Sequence, residues 1–358
     1  MDLNKYGFND YFKNEFKQFE EKGMQPARVA MEEKGMYKLY TEVGEVTAKV
    51  SGKFQYEAIS NEDFPAVGDF VAVSIRKNEM EATIHAVLKR KSCFTRKKNV
   101  AVDFEAQIFA ANFDYVFIVT SLNHNFNLRR IERYLTMVWN TGGIPVLILS
   151  KADLCDNLSE RLEEVQEIAM GVSVHAISSF EGIGIGEISR YLTEGKTAVV
   201  VGSSGVGKST LLNKLAGEEL METSEIREND SRGRHTTTHR ELFIVPSGGI
   251  IIDTPGTRLI GIWDADTGVD EAFQDIEEFA KKCKFSNCEH KDEPGCAVRR
   301  AIEEGTIDEK RLESYLKLKK ETRFMEAKQK RIIRIQQKNS AKSKGKGYKR
   351  DKRVNYGY

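Results

Sequence analysis

Gly202-Ser203-Ser204-Gly205-Val206-Gly207-Lys208-Ser209 satisfies the pattern G-x-x-x-x-G-K-[ST] at every fixed position. It lies between an apolar run, Val199 to Val201, and a stretch of helical character, Thr210 to Leu215. That strand–loop–helix setting is what the pattern needs to work as a phosphate cradle. Glycines let consecutive backbone N–H groups turn inward at a helix N-terminus. The lysine neutralises β- and γ-phosphate oxygens, and the serine hydroxyl coordinates Mg²⁺. Gly202 to Ser209, with Thr210 beside them, are the expected phosphate-binding residues, with Lys208 the acting charge and Ser209 a magnesium ligand.

Working outward, strands and helices alternate from about Gln107 to Ile262. Tyr115–Val119, Pro145–Leu149, Thr197–Val201 and Ile250–Ile252 are predominantly apolar runs, and Val172–Ile177 continues the series of strands. Amphipathic helices are expected between them, at Leu128–Trp139 and at Ser159–Met170, the latter begun by Ser159 as N-cap. This pattern predicts a parallel sheet covered on both faces. Asp253-Thr254-Pro255-Gly256 follows the last strand, where an aspartate can hold Mg²⁺ through water and the Gly256 N–H can sense a γ-phosphate. Between the two motifs lies Arg232-Gly233-Arg234-His235-Thr236-Thr237-Thr238-His239-Arg240, polar and glycine-containing as a mobile loop should be. Thr236 or Thr237 can reach Mg²⁺ there; His235 and His239 lack a third ligand nearby that would make them a metal pair.

The base-reading element stands upstream. Ser150-Lys151-Ala152-Asp153 closes the strand that ends at Leu149. A carboxylate at that point pairs with guanine N1–H and the exocyclic amine, two donors adenine lacks, while Lys151 lies across the base. Ile177-Ser178-Ser179, at the end of the next strand, has the form of a backbone clasp for guanine O6. The order is base reader, clasp, phosphate loop, threonine switch and D-T-P-G: a GTPase domain whose chain is circularly permuted. The segment after Asp253 then runs straight into Cys283-x₄-Cys288-x-His290-x₅-Cys296, a closed Cys₃His set expected to hold one structural zinc. Nucleotide state can thereby be felt by the C-terminal module.

Residues 1–35 are polar with scattered aromatics, a short helical or loosely packed lead-in. From Tyr37 to about Lys91, Val46–Val50, Phe54–Tyr56, Phe70–Ile75 and Ala82–Val87 alternate with period two between Gly44, Gly52, Pro65 and Gly68. That predicts a small antiparallel barrel, OB-like or SH3-like. Lys89 to Lys98 carries six basic residues in ten and reads as a linker, with RNA contact as a second role.

The chain has 358 residues, 40% hydrophobic and 30% charged, which excludes wholesale disorder. No apolar run is long enough for a membrane span and the N-terminus has no signal core, so a cytoplasmic protein is expected. Five cysteines, three of them within fourteen residues, argue for metal rather than disulfides. Residues 328–358 hold twelve Lys or Arg against Asp351, leaving −10 on the rest of a chain whose net charge is +1. A basic tail on an acidic body suits a protein that docks on nucleic acid, or one kept soluble by its tail. The expected organisation is an extension (1–35), an OB-like barrel (36–92), the permuted α/β GTPase domain (105–265), a zinc-binding, mainly helical domain (266–338) and a mobile basic tail (339–358).

The permuted order, Gly233-Arg234-His235-Thr236-Thr237-Thr238, Asp253-Thr254-Pro255-Gly256 and the C-x₄-C-x-H-x₅-C segment together resemble the RsgA family, the small-subunit-dependent GTPases of bacterial ribosome assembly. The resemblance runs from about Tyr37 to Lys320. It implies an OB-fold, GTP hydrolysis stimulated by the small ribosomal subunit and its rRNA, action late in that subunit's maturation, and Mg²⁺ bound with GTP through Ser209 and Thr236. It also implies that His235 is the catalytic side chain; Thr257, after D-T-P-G, cannot orient water as a glutamine does. Gly205 stands where some permuted GTPases place a K⁺-binding asparagine, so no K⁺ site of that kind is expected. Ser150 replaces the family's usual asparagine, implying a weaker guanine grip with Asp153 keeping selectivity. A GTP-regulated RNA-docking factor with incidental hydrolysis is the alternative; an ATPase conflicts with Asp153. Nothing in the sequence demands a dimer, and a monomer is expected.

Overall fold

The structure is a computed structural model. It describes residues 2–76, 78–99, 104–124, 126–219, 240–253, 269, 272–291, 293–320 and 322–323. His235, Thr236, Gly256 and the basic tail lie outside the described residues. The chain forms two units, residues 1–261 and 262–358.

In the first unit, β1 (Gln25–Glu33), β2 (Met36–Thr41), β3 (Gly44–Val50), β4 (Phe70–Arg76) and β5 (Glu81–Val87) close into a barrel. β1 pairs antiparallel with both β2 and β4, and β3 runs parallel to β5. With a helix between β3 and β4, this is the OB-like arrangement rather than the SH3-like one. Val29, Leu39, Val46, Val71, Val73 and Ile84 fill it.

The barrel begins at Gln25, not at residue 36. β1 escaped a period-two reading because four consecutive residues, Ala27 to Ala30, are all buried. Of the aromatics ahead of it, Tyr6 and Phe8 are buried, as are Phe12 and Phe16 of α1 (Asp10–Glu20). The Phe8 and Phe12 rings lie 5.4 and 4.3 Å from that of Phe70. Phe54-Gln55-Tyr56, expected as a strand, belongs to α2 (Gly52–Glu57), whose Phe54 N–H is capped by the Ser51 hydroxyl at 3.1 Å.

The basic stretch after the barrel is more than a linker. β6 (Cys93–Asn99) pairs with β7 (Phe104–Ala111) in a two-stranded ribbon. Phe94 is core, stacked on Phe109 and Phe113 at 5.2 Å each. Arg90 forms a 2.7 Å ion pair with buried Asp69, and Lys91 Nζ donates to Asp114 at 2.8 Å. Two of the six basic residues are thus spent inside the fold.

The α/β sheet is ordered β10-β9-β8-β11-β13-β12 and continues into β1 of the barrel. Its strands are β8 (Tyr115–Ser121), β9 (Ile144–Ser150), β10 (Ser173–Ala176), β11 (Thr197–Gly202), β12 (Arg240–Ile244) and β13 (Ile250–Asp253). β8, β9, β10, β11 and β13 are parallel, and β12 runs antiparallel at the seam. The phosphate-loop strand β11, fourth of these in the chain, sits mid-sheet between β8 and β13, as a permuted chain requires. α3 (Leu128–Trp139) and α4 (Leu158–Ile168) lie between strands as expected, but α4 starts before Ser159, with Asn157 in the cap position.

Barrel and sheet are stitched by Arg28. Its buried guanidinium donates to the carbonyls of Tyr6, Gly68 (3.3 Å) and Asn112 (3.2 Å) and to the Thr197 hydroxyl (3.0 Å) at the start of β11. Leaving any of those donors unpaired in the interior costs about 1–3 kcal/mol.

The second unit contains helices Gln274–Ala280 and Ala297–Glu303, and residues 309–320 are helical. Arg311 ties two of them, its Nε donating to Asp275 at 2.6 Å and its Nη2 to the Ala272 carbonyl at 3.1 Å.

Candidate nucleotide site and metal centre

The loop after β11 is shaped by its glycines. Gly202 has φ +151°, and a Cβ there would lie 2.3 Å from the Val119 carbonyl oxygen. Gly205 and Gly207 have φ +77° and +91°, turning the backbone into α6 (Lys208–Ala216). No side chain caps α6, so its first N–H groups face the loop unclaimed by a capping residue. Lys208 folds back over this loop, donating to the Gly202 carbonyl at 3.0 Å and that of Ser203 at 2.7 Å. Burial pulls its pKa down to about 8, opposed by Asp253 at the end of β13. An arriving phosphate offers this ammonium a better partner than two neutral carbonyls.

The base-reading residues converge on the same end of the sheet. β9 and β10 are parallel in register, Leu149 opposite Ala176, so their loops leave side by side. The Ala152 N–H donates to the Ile177 carbonyl at 3.0 Å and binds the loops together. Ser150 is buried, its hydroxyl 2.5 Å from the Val206 carbonyl of the phosphate loop. A hydroxyl thus connects base reader to phosphate loop at the position where Ser150 replaces the family's usual asparagine. Lys151, at φ +60°, reaches the Gly205 carbonyl at 2.9 Å. Asp153 is exposed, and among the described residues its carboxylate has no partner. On the facing loop the Ser179 hydroxyl is buried with no hydrogen-bond partner among the described residues.

Two residues that the sequence reading did not single out touch the site. Arg130 Nη1 of α3 donates to the Ser203 hydroxyl at 3.2 Å, and the Tyr134 hydroxyl lies 3.5 Å from the same oxygen. Their i, i+4 spacing puts them on one helix face, but no local pattern couples positions 73 residues apart.

Two family models match. The one described as RsgA GTPase covers residues 87–263. The one described as a 50S ribosome-binding GTPase covers 197–330 and so begins at the first residue of β11. A small ribosomal subunit biogenesis GTPase RsgA 1 from Listeria innocua is 44% identical over 324 residues, 90% of each chain. The chain belongs to the RsgA GTPase family. It is a GTP hydrolase. A small ribosomal subunit biogenesis GTPase RsgA from Syntrophotalea carbinolica is 39% identical over 98% of this chain and 99% of its own. Among solved structures, YjeQ from Thermotoga maritima superposes with a TM-score of 0.61 at 30% identity, covering 82% of this chain and 97% of the other. YloQ, described as a circularly permuted GTPase, shares the fold at a TM-score of 0.58.

In the second unit Cys283, Cys288, His290 and Cys296 bring their ligand atoms within 4.8 Å of one another. The Cys283 and Cys296 sulfurs are 3.9 Å apart, and His290 Nδ1 lies 3.6 and 3.5 Å from them. Tetrahedral metal–sulfur bonds of about 2.3 Å demand separations of this size, so the set fits a bound metal ion. The Ala297 N–H donates to the Cys283 sulfur at 3.3 Å and the Arg299 N–H to that of Cys296 at 3.4 Å, stabilising thiolates. The Arg299 side chain closes the loop from outside, donating to the carbonyls of His290 and Lys291 at 3.1 and 2.8 Å.

Proposed function

We propose that this GTPase turns over GTP on the small ribosomal subunit, late in its maturation, with hydrolysis stimulated by the subunit. The observation that carries the reading is the convergence of Asp153, Ser178-Ser179 and the Gly202–Ser209 loop at one end of a permuted sheet, in a chain 44% identical to a relative named for small-subunit biogenesis. Asp153 takes the guanine N1–H and amine, Ser179 with Ser178 clasps O6, and Lys208 leaves its carbonyls for the β- and γ-phosphates. Ser209 and Thr236 would hold Mg²⁺, which would supply charge neutralisation at the phosphate oxygens when GTP is bound. His235 orients the water that attacks the γ-phosphorus, giving GDP and phosphate.

The Cys₃His set has no open position and suits a structural zinc, which binds no substrate. The barrel, zinc module and basic tail grip rRNA, and the protein works as a cytoplasmic monomer. No described helix is long and apolar enough to cross a membrane.

Phosphate release from GTP and ATP, with and without purified small subunits at matched salt, tests the reading. GTP-only turnover that rises many-fold with subunits is expected, and His235→Ala should keep GTP binding yet lose the stimulated turnover. Turnover indifferent to subunits would favour a docking factor, and equal turnover in His235→Ala would remove that residue from catalysis.

A further inference from the structure

The turn after β10 is closed on itself. Ser178 and Ile183 exchange backbone hydrogen bonds of 3.1 and 3.0 Å, the Ser178 hydroxyl accepts from the Glu181 N–H at 3.2 Å, and Gly182 takes φ +77°. This stiff turn holds Phe180 at its tip with 88% of its surface exposed. The preceding residue is Ser179, whose buried hydroxyl lacks a partner. An apolar ring without cover and a polar atom without a partner are therefore adjacent, beside the loop that carries Asp153. Leu154, on the loop that carries Asp153, and Ile183, in the turn itself, are also exposed, at 63% and 56%. An orphaned buried polar atom next to a large exposed apolar ring points to a ligand. One that offers a hydrogen-bonding edge and a flat apolar face together is a nucleobase.

We propose that Phe180 is a base-stacking residue: its ring packs against the face of the guanine whose edge is read by Asp153 and the Ser178-Ser179 clasp. The inference rests on the GTP reading above and deepens it. Every base has a π-face, so stacking adds affinity without adding discrimination. Selectivity belongs to Asp153 and strength to Phe180.

GDP and inosine diphosphate titrations of the parent chain, Phe180→Ala and Phe180→Tyr test this. Phe180→Ala should weaken both nucleotides by the same factor, about tenfold for one stack. Phe180→Tyr should restore both. Phe180→Trp should add an emission that GDP quenches, beyond any change from Trp139 and Trp263 in the parent. Because the ring is exposed, thermal stability of the nucleotide-free variants should match the parent. Parental GDP affinity in Phe180→Ala, or a loss that Phe180→Tyr does not repair, overturns the assignment. Parental GDP affinity with lost co-sedimentation on small subunits would overturn it too, by giving this face to a macromolecular partner. A parent chain that binds no GDP would instead sink the nucleotide reading itself.

Discussion

The two units hold their functional loops by different means. In the first, the phosphate loop hangs from β11, whose six residues are all buried, and the loop's shape follows from packing: Gly202 has no room for a Cβ. In the second, the described residues of 281–296 contain no helix or strand, and three sulfurs and an imidazole converge across the loop, with the Glu293 carboxylate accepting from the Glu289 and Lys291 N–H groups. Burial shapes one loop, and a set of side chains fit to hold a metal lines the other. The difference is chemical as well as geometric, because a chelator can withdraw a metal and no reagent withdraws a buried strand.

Metal removal breaks the comparison most severely. Structural zinc binding contributes on the order of 10 kcal/mol to folding in small metal modules. A strong chelator, or Cys296→Ser, should abolish amide-exchange protection across residues 283–303 while β8, β9 and β11 keep theirs. Metal analysis should return one zinc per chain before treatment and none after. Protection that survives in 283–303 would mean the helices, packed through Arg311 and Asp275, hold the loop without help.

The next largest effect lies at Lys208. In the free protein burial lowers its pKa to about 8. A phosphate beside it favours the charged form and raises that pKa, so binding above pH 8 takes up a proton. Affinity must then fall as pH rises through the free-state value. GDP should bind about tenfold more weakly at pH 9 than at pH 7. Isothermal titration in buffers of different ionisation enthalpy would reveal the proton, and flat affinity over that range would show that Lys208 stays charged before the nucleotide arrives.

What was legible in the sequence tracks how local each constraint is. The phosphate loop, the apolar parallel strands and the Cys₃His spacing carry their reasons within a few residues, and the structure brings each together. β1 was missed because both its faces are covered, which erases alternation. Phe54 alternates with polar neighbours as a strand would, yet the Ser51 cap turns that segment helical. Ser159 looked like a cap but lies inside α4, one residue past its start. The ribbon of β6 and β7 hid behind its lysines, since among the described residues each strand pairs only with the other. Arg28 is the extreme case: its partners are spread from Tyr6 to Thr197, and no window of sequence contains them.

Arg130 is a smaller version of the same problem and gives the finest test. It is a half-buried cation on α3 whose hydrogen bond ends on Ser203, so the contact it makes is with the loop that positions the phosphates. A hydrogen bond from a charged group contributes about 1.5–3 kcal/mol when fully desolvated, and partial exposure reduces that to about 1 kcal/mol. Arg130→Ala should therefore raise KM for GTP about fivefold and change kcat little. Ser203→Ala removes the acceptor and should cost about the same. If Arg130 works through Ser203, the double variant should be no worse than either single one, because residues that share one contact are not additive. Arg130→Lys should recover only part of the loss, since an ammonium cannot reproduce the reach of the guanidinium to the hydroxyl. Full additivity would mean that Arg130 acts on the phosphates by charge alone. The phosphate loop would then be shaped entirely by its own glycines and β11, which is the sharper form of the contrast with the loop of the Cys₃His set.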